Sequence, residues 1–228
     1  MPVISFANPK GGAGKTTSVL LLAGELAAKG ARVAIIDADP ERWISQWAKL
    51  PGKPGTIDII AEVAEDTIVD HIETAARTAQ FVIVDLEGTA SLMVANAIGM
   101  SDLVLIPTQG ASMDAKGAAK TIKLIRNQER MARRTIAHSI LLTRTSAAVT
   151  SRALRNVRTQ LDKAGIDVLT TSIVERAAYR DIFDFGGLLA DLPADKVSNI
   201  DKASENARAF AGEVLARLKQ AAGAAKAA

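Results

Sequence analysis

The 228-residue chain contains no cysteine. That removes disulfides, thiolate metal sites and iron–sulfur ligation, and nothing points to an oxidising compartment. Aromatic residues are scarce, with two Trp, one Tyr and five Phe, which argues against a stacking platform for single-stranded nucleic acid. No apolar run approaches the roughly 20 residues of a membrane span, and the start lacks the charged and apolar blocks of a signal peptide. A cytoplasmic protein is expected. The length suits one α/β domain able to bury a substantial core, read as residues 1–220 followed by a flexible alanine-rich tail at 221–228.

What is present is concentrated at the start. Val3-Ile4-Ser5-Phe6-Ala7 is apolar and strand-like, Asn8-Pro9-Lys10-Gly11-Gly12-Ala13-Gly14-Lys15-Thr16-Thr17 is glycine-rich, and Ser18-Val19-Leu20-Leu21-Leu22-Ala23 forms helix. Strand, tight loop and helix in that order make a phosphate cradle. The glycines let successive N–H groups converge on an anion, and the helix opening near Lys15 adds its positive dipole end. The cradle comprises Gly11, Gly12, Ala13, Gly14, Lys15, Thr16 and Thr17; Lys15 reaches the terminal phosphates and Thr16 places its hydroxyl on Mg²⁺. The general pattern G-x-x-x-x-G-K-[ST] wants glycine where Pro9 stands, so the strict motif fails.

Two more strands end in acids. Val33-Ala34-Ile35-Ile36-Asp37-Ala38-Asp39-Pro40 puts two aspartates at the carboxyl end of a buried strand, where open parallel sheets bind their ligands. Phe81-Val82-Ile83-Val84-Asp85 repeats the pattern, and Asp85 is suited to hold Mg²⁺ through water. Leu103-Val104-Leu105-Ile106-Pro107 and residues 137–143 read as further strands, and 168–173 as a last one. Helices are expected at 15–29, 41–48, 67–78, 90–98, 115–133, 150–164 and 199–219, with Thr150 or Ser151 capping the sixth. Trp43 and Trp47 stand four apart on one helical face, a core or lid pair in preference to a partner-binding patch. Alternating helices and strands predict an α/β fold with a mostly parallel sheet and right-handed crossovers.

Together, K-G-G-x-G-K-T-T, D-x-D-P and the acid-ended strand, in this order across nearly the whole chain, resemble the ParA/MinD family of deviant Walker A ATPases, most closely the short ParF-like partition proteins without an N-terminal DNA-binding extension. The resemblance implies a three-layer P-loop NTPase fold and Mg²⁺-dependent ATP hydrolysis. It implies that Lys10 reaches across a nucleotide-sandwich homodimer to the partner's phosphates, that Asp39 orients the attacking water, and that Asp37 supports the Mg²⁺ shell. By the same likeness Arg144 and Val174, Glu175 and Arg176 are candidates for closing over the adenine, and a ParB-like or cargo adaptor with a basic N-terminal segment stimulates turnover. Where many members carry T-P-P after the second acidic strand, this chain has Leu86-Glu87-Gly88. Glu87 is read as a helix-end or surface charge in preference to a contact with the active-site water. Asp114, in a second nucleotide-sensing loop, is a candidate to face a partner's Lys10.

Net charge is only +3, yet residues 116–180 hold fourteen Lys/Arg against four Asp/Glu. Arg152, Arg155 and Arg158 are singled out as contacts to DNA, bound without sequence preference and implying association with the nucleoid; the plainer reading is a solvated face. A noncatalytic nucleotide-binding adaptor for a conjugation or DNA-processing complex is the alternative. A MinD-like membrane switch needs a basic, bulky-apolar helix, whereas residues 199–219 carry a mixed polar face.

Overall fold

A computed structural model describes residues 1–88, 91–110, 112–147 and 152–227. Six strands, β1 (Val3–Phe6), β2 (Val33–Ala38), β3 (Ile57–Ile60), β4 (Phe81–Leu86), β5 (Leu103–Thr108) and β6 (Ala137–Leu142), form one sheet in the order β3-β2-β4-β1-β5-β6. Every pairing is parallel. The strands are short apolar runs because both faces are covered, as in doubly wound α/β proteins.

Alternation along each strand sends side chains to two cores. Ile4, Phe6, Ile35, Ile83, Leu103 and Leu105 face a layer containing α1 (Lys15–Ala28), α2 (Trp43–Trp47), α7 (Ala178–Phe185) and α8 (Ile200–Ala227). Val3, Ala34, Ile36, Val82, Val84, Val104 and Ile106 face α3 (Ile68–Thr78), α4 (Leu92–Gly99), α5 (Ser112–Ala132) and α6 (Arg152–Lys163). The result is three layers with β1 near the middle, so the loop that leaves β1 emerges between two well-packed neighbours.

Some expectations shift. Residues 168–173 do not form a full strand: Val168 makes an isolated parallel bridge to Ile140 of β6, and just past the segment Val174 makes another to Thr145. Between them the Glu213 carboxylate of α8 accepts the Thr170 and Thr171 N–H groups at 2.7 Å each, and Asn206 bonds the Ser172 carbonyl and the Val174 amide. Helix side chains thus replace the ladder at this edge. The two tryptophans part company as well. Trp47 is buried and donates to the Gly187 carbonyl at 3.1 Å, whereas Trp43 is 49% exposed, because α2 lasts only five residues and its first turn overhangs the body. Residues 178–185, not among the expected helices, form the helix α7, and α8 continues to Ala227, past the position where a tail was expected. Ala90, Thr150 and Ser151, expected as helix or cap residues, lie outside the described residues.

Phe210 on α8 is fully buried against the α1 side of the sheet. Phe210→Ala is expected to cost about 3–5 kcal/mol, measured as the change in unfolding free energy by urea titration of the nucleotide-free protein.

Candidate active site

The loop between β1 and α1 is shaped by two left-handed glycines, Gly12 at φ +72° and Gly14 at φ +93°. Gly14 is the N-cap of α1 and no side chain caps that end, so the first-turn amides, which have no partner inside a helix, remain for an anion. Around Gly11 and Gly12 the space is open, and a Cβ at either would meet nothing within 4 Å.

Three side chains that no sequence pattern singles out hold the loop. Asn8, buried, donates to the Pro107 carbonyl at 2.6 Å and accepts the Lys10 N–H at 2.9 Å. Gln109 donates to the Gly12 carbonyl at 2.7 Å, and buried Thr143 donates to the Ala13 carbonyl at 2.7 Å. A Cβ on Gly14 would lie 3.3 Å from the Thr143 side chain, so that glycine also answers a close approach. The hydrogen bonds occupy carbonyls and leave a concave run of donors. The only signal in the sequence is position: Asn8, Gln109 and Thr143 stand just past the carboxyl ends of β1, β5 and β6.

Asp37 and Asp85 are register partners at the ends of β2 and β4, and Phe6 of β1 pairs with Asp85. By alternation both acids share the face of Ile35 and Ile83, which α1 covers, so they lie under the helix that carries Lys15 and Thr16. Asp85 is completely buried, and neither of its oxygens has a hydrogen-bond partner. Burial pushes its carboxyl up to about 7, although the nearby Thr16 hydroxyl and Lys15 ammonium pull it down. Asp37 also has a raised pKa, chiefly from burial; its Oδ2 accepts from the amide and hydroxyl of Ser45, while Oδ1 has no partner.

Unpaired buried carboxylate oxygens beside a hydroxyl suit a hydrated Mg²⁺, and the neighbouring ammonium suits the phosphate oxygens that would share it. No cluster of three His, Cys, Asp or Glu suited to a metal occurs among the described residues. Thr16 and Asp85 would hold it, with Asp37 behind them.

Asp39, half-buried, lies one residue beyond β2, and its Oδ1 accepts the Glu41 N–H at 3.0 Å. Lys10 lies exposed at the front of the loop. Glu87 is half-buried, and it is not a helix-end charge: α4 starts five residues later, is capped by Ser91 and has no acid in its first turn. Gly88 passes so close to the loop that a Cβ there would stand 3.3 Å from the Pro9 carbonyl oxygen and 3.7 Å from the Gly11 nitrogen. The Leu86-Glu87-Gly88 segment therefore lies against the mouth of the cradle.

Arg144, Val174, Glu175 and Arg176 are gathered by the bridge between Thr145 and Val174 and by Glu175 N–H donating to the Thr145 carbonyl at 2.9 Å. Arg144 is exposed at φ +50°, one residue after the Thr143 that holds the loop. Glu175 pairs with Arg180 at 3.4 Å, and Arg176 lies beside the Tyr179 hydroxyl, close to α8. Arg155 and Arg158 are exposed on α6, whose Leu154 packs against Gly110, next to the Gln109 that holds the loop. The side chains of Arg152 and Asp114 lie outside the described residues.

Thr143→Val keeps the shape and removes the donor to Ala13. The orphaned carbonyl is expected to cost about 1–3 kcal/mol in urea unfolding and to weaken ATP binding by about tenfold in a calorimetric titration.

Over residues 1–218 the chain matches the family described as VirC1 protein. It is 39% identical over 221 residues to Protein ParA of Rhizobium radiobacter, covering 97% of this chain and 99% of that protein. It is 28% identical over 183 residues to the maintenance of carboxysome distribution protein A of Halothiobacillus neapolitanus, covering 78% and 82%. The fold superimposes with a TM-score of 0.73 on the ATP complex of a Cyanothece McdA variant at 18% identity, across 98% of this chain and 96% of that one. The glycine loop with its extra lysine, the buried acids at the ends of two parallel strands and these likenesses agree: the chain belongs to the VirC1 family of ParA/MinD-type ATPases.

Proposed function

We propose that the chain hydrolyses ATP as a partition or positioning switch: ATP joins two copies, the pair binds DNA, and hydrolysis separates them. The observation that carries this reading is the placement of two buried acids with unpartnered carboxylate oxygens, both of Asp85 and Oδ1 of Asp37, beneath a loop that offers Lys15, Thr16 and open backbone amides at one end and exposed Lys10 at the other. Phosphoryl transfer to water needs charge neutralisation and positioning more than covalent chemistry. Lys15 and the loop amides hold the phosphates, and Lys10 of a second copy adds charge where the γ-phosphate leaves. Asp39 orients a water whose oxygen bonds to the γ-phosphorus as the bond to the β–γ bridging oxygen breaks, giving ADP and phosphate. Thr16 and Asp85 would hold magnesium, which would supply positive charge against the transferring oxygens. Arg144 and Val174 to Arg176 close over the base.

Arg152, Arg155 and Arg158, with the basic surface around them, would bind phosphodiester backbones. Two copies bind more tightly than one without any new contact. An adaptor with a basic N-terminal segment would stimulate turnover. Among the described residues no helix is long and apolar enough to cross a membrane. Two names among the similar proteins suggest two classes of cargo: carboxysome distribution among the relatives and plasmid partition among the solved structures of like fold. A second reading, nucleotide-dependent recruitment with little hydrolysis, is favoured by one observation: half-buried Glu87 stands beside the loop in place of the T-P-P pattern.

Asp39→Ala is expected to keep ATP-driven pairing in light scattering while kcat falls by about 10²-fold or more. Lys10→Ala should stay monomeric with ATP. If the wild type holds ATP as a dimer without releasing phosphate, recruitment replaces hydrolysis as the function.

Asp85→Asn removes a buried unpaired charge. The nucleotide-free protein is expected to melt about 2–6 °C higher, while the extra stabilisation by Mg²⁺ with ATP disappears. A variant that keeps this stabilisation removes Asp85 from the magnesium site.

A further inference from the structure

Asp37 carries two donors on one oxygen and none on the other. Its Oδ2 accepts the Ser45 N–H at 2.8 Å and the Ser45 hydroxyl, while Oδ1, equally buried, has no partner. A carboxylate is planar, so two donors on one oxygen fix the direction of the other. Ser45 lies in α2, and the turn that brings it back to the end of β2 is closed at every step. The Asp39 side chain accepts the Glu41 N–H at 3.0 Å, and the Asp39 carbonyl accepts the Arg42 N–H at 2.9 Å. Arg42 takes the left-handed conformation at φ +50°, uncommon for a residue with a side chain, and Gln46 donates back to the Glu41 carbonyl at 2.8 Å. No N-cap side chain serves the first turn of α2. The Ser45 amide, without a partner inside the helix, goes to Asp37 instead.

The helix that offers these donors is braced from the body side. Ile44 and Trp47, which flank Ser45, are buried in the core, and Trp47 donates to the Gly187 carbonyl at 3.1 Å. Past the helix the chain presses on the same glycines: a Cβ on Gly186 would stand 2.5 Å from the Pro51 carbonyl oxygen, and one on Gly52 would stand 3.1 Å from the Gly187 Cα. A donor on an element locked by packing imposes an orientation on its partner instead of following it. The partner is placed to use that orientation, because Asp37 is the register partner of Asp85 and each carboxylate keeps an oxygen without a donor.

We propose that Ser45 is a positioning residue for the magnesium of the nucleotide site: it holds Asp37 by Oδ2 so that Oδ1 stays available to the water shell of the ion, and Mg²⁺ affinity therefore depends on the Ser45 hydroxyl. This rests on the magnesium and ATP reading above. Mg²⁺ demands near-ideal octahedral geometry and keeps several waters, so a carboxylate free to turn about its side-chain bonds would meet those waters only part of the time. Residues that orient the groups around a metal typically matter by about 10- to 100-fold in its affinity. The amide survives any substitution at position 45 except proline, and the burial of Ile44 and Trp47 keeps α2 in place, so the hydroxyl is the removable part. A serine that merely ties α2 to the strand end would affect the stability of the fold and leave the metal's share of nucleotide binding untouched.

The test titrates a non-hydrolysable ATP analogue by calorimetry in excess Mg²⁺ and again in EDTA; the ratio of the two affinities measures what magnesium contributes. It compares the wild type with Ser45→Ala, Ser45→Thr, Asp37→Asn and the double variant Ser45→Ala with Asp37→Asn, each shown to be folded by urea unfolding without nucleotide. Ser45→Ala is expected to shrink the ratio by about tenfold while its affinity in EDTA stays that of the wild type. Ser45→Thr keeps the hydroxyl and should keep the ratio. In the Asp37→Asn background the serine substitution should change the ratio by less than about twofold, since the two residues act through one path. The proposal is overturned if Ser45→Ala leaves the ratio unchanged, if it lowers both affinities equally, or if its effect on the ratio persists in full without the Asp37 carboxylate. A wild type that ignores the analogue, or binds it equally in Mg²⁺ and EDTA, strikes the magnesium and ATP reading and this inference with it. A wild type with a large ratio that Ser45→Ala does not alter strikes this inference alone.

Discussion

A carboxylate with both oxygens unbonded and no exposed surface is the condition from which the nucleotide edge of this protein follows. Burying an ionisable group without a partner is costly, and Asp85 can be held there only because the structure around it is over-determined. β4 lies between β2 and β1, its neighbours Ile83 and Val84 are fully buried in the two opposite cores, and the register fixes Asp85 beside Asp37 and Phe6. A buried polar group left without a hydrogen-bond partner at the end of a rigid strand is a feature of functional sites. Nearby Lys15 and Thr16 relieve the burden only in part, since the carboxyl still lies well above its ordinary range. A cation with phosphate oxygens would complete it.

The loop above those acids is a different kind of construction. Its conformation comes from two left-handed glycines, but its position comes from Asn8, Gln109 and Thr143, which tie it to the ends of β5 and β6. The cradle is thus hung between three parallel strands, and displacement of β5 or β6 would be felt at the phosphates. Gly117 on α5 makes the same point: a Cβ there would meet Asn8 Oδ1 at 2.9 Å, so the helix is packed directly on the side chain that shapes the loop.

Much of this architecture is legible in the order of residues alone, and the reason is local. Apolar runs ending in Asp37, Asp39 and Asp85, and glycines between a strand and a helix, are patterns whose physics is contained within about ten residues. The illegible parts depend on distant partners. Residues 168–173 have the composition of a strand, but Glu213 and Asn206, some forty and thirty residues further on, take their backbone groups. Trp43 and Trp47 share a helical face by spacing, yet only the second lies over the body. The alanine-rich end is ambiguous by nature, since alanine suits both a frayed tail and a helix interior, and here α8 runs through it. Asn8, Gln109 and Thr143 are single polar residues with no periodicity to announce them.

The sheet sets a limit on how the proposed activities can be coupled. A ligand shifts an equilibrium only by its differential affinity for two states, so nucleotide at the carboxyl edge would change a basic surface elsewhere on the same protomer only if some element had two arrangements spanning the sheet. The central strands β2, β4, β1 and β5 offer a poor candidate: they are continuous, parallel and buried on both faces, and close-packed interiors resist graded deformation. Number is the simpler currency. Joining two copies through Lys10 and shared phosphates would raise avidity for a polyanion by about 10²- to 10⁴-fold with no change inside either protomer, and loss of the γ-phosphate would remove the joint. On this view the rigidity of the sheet is what allows a chemical event at the nucleotide edge to be reported elsewhere on the surface, because it leaves association as the only variable.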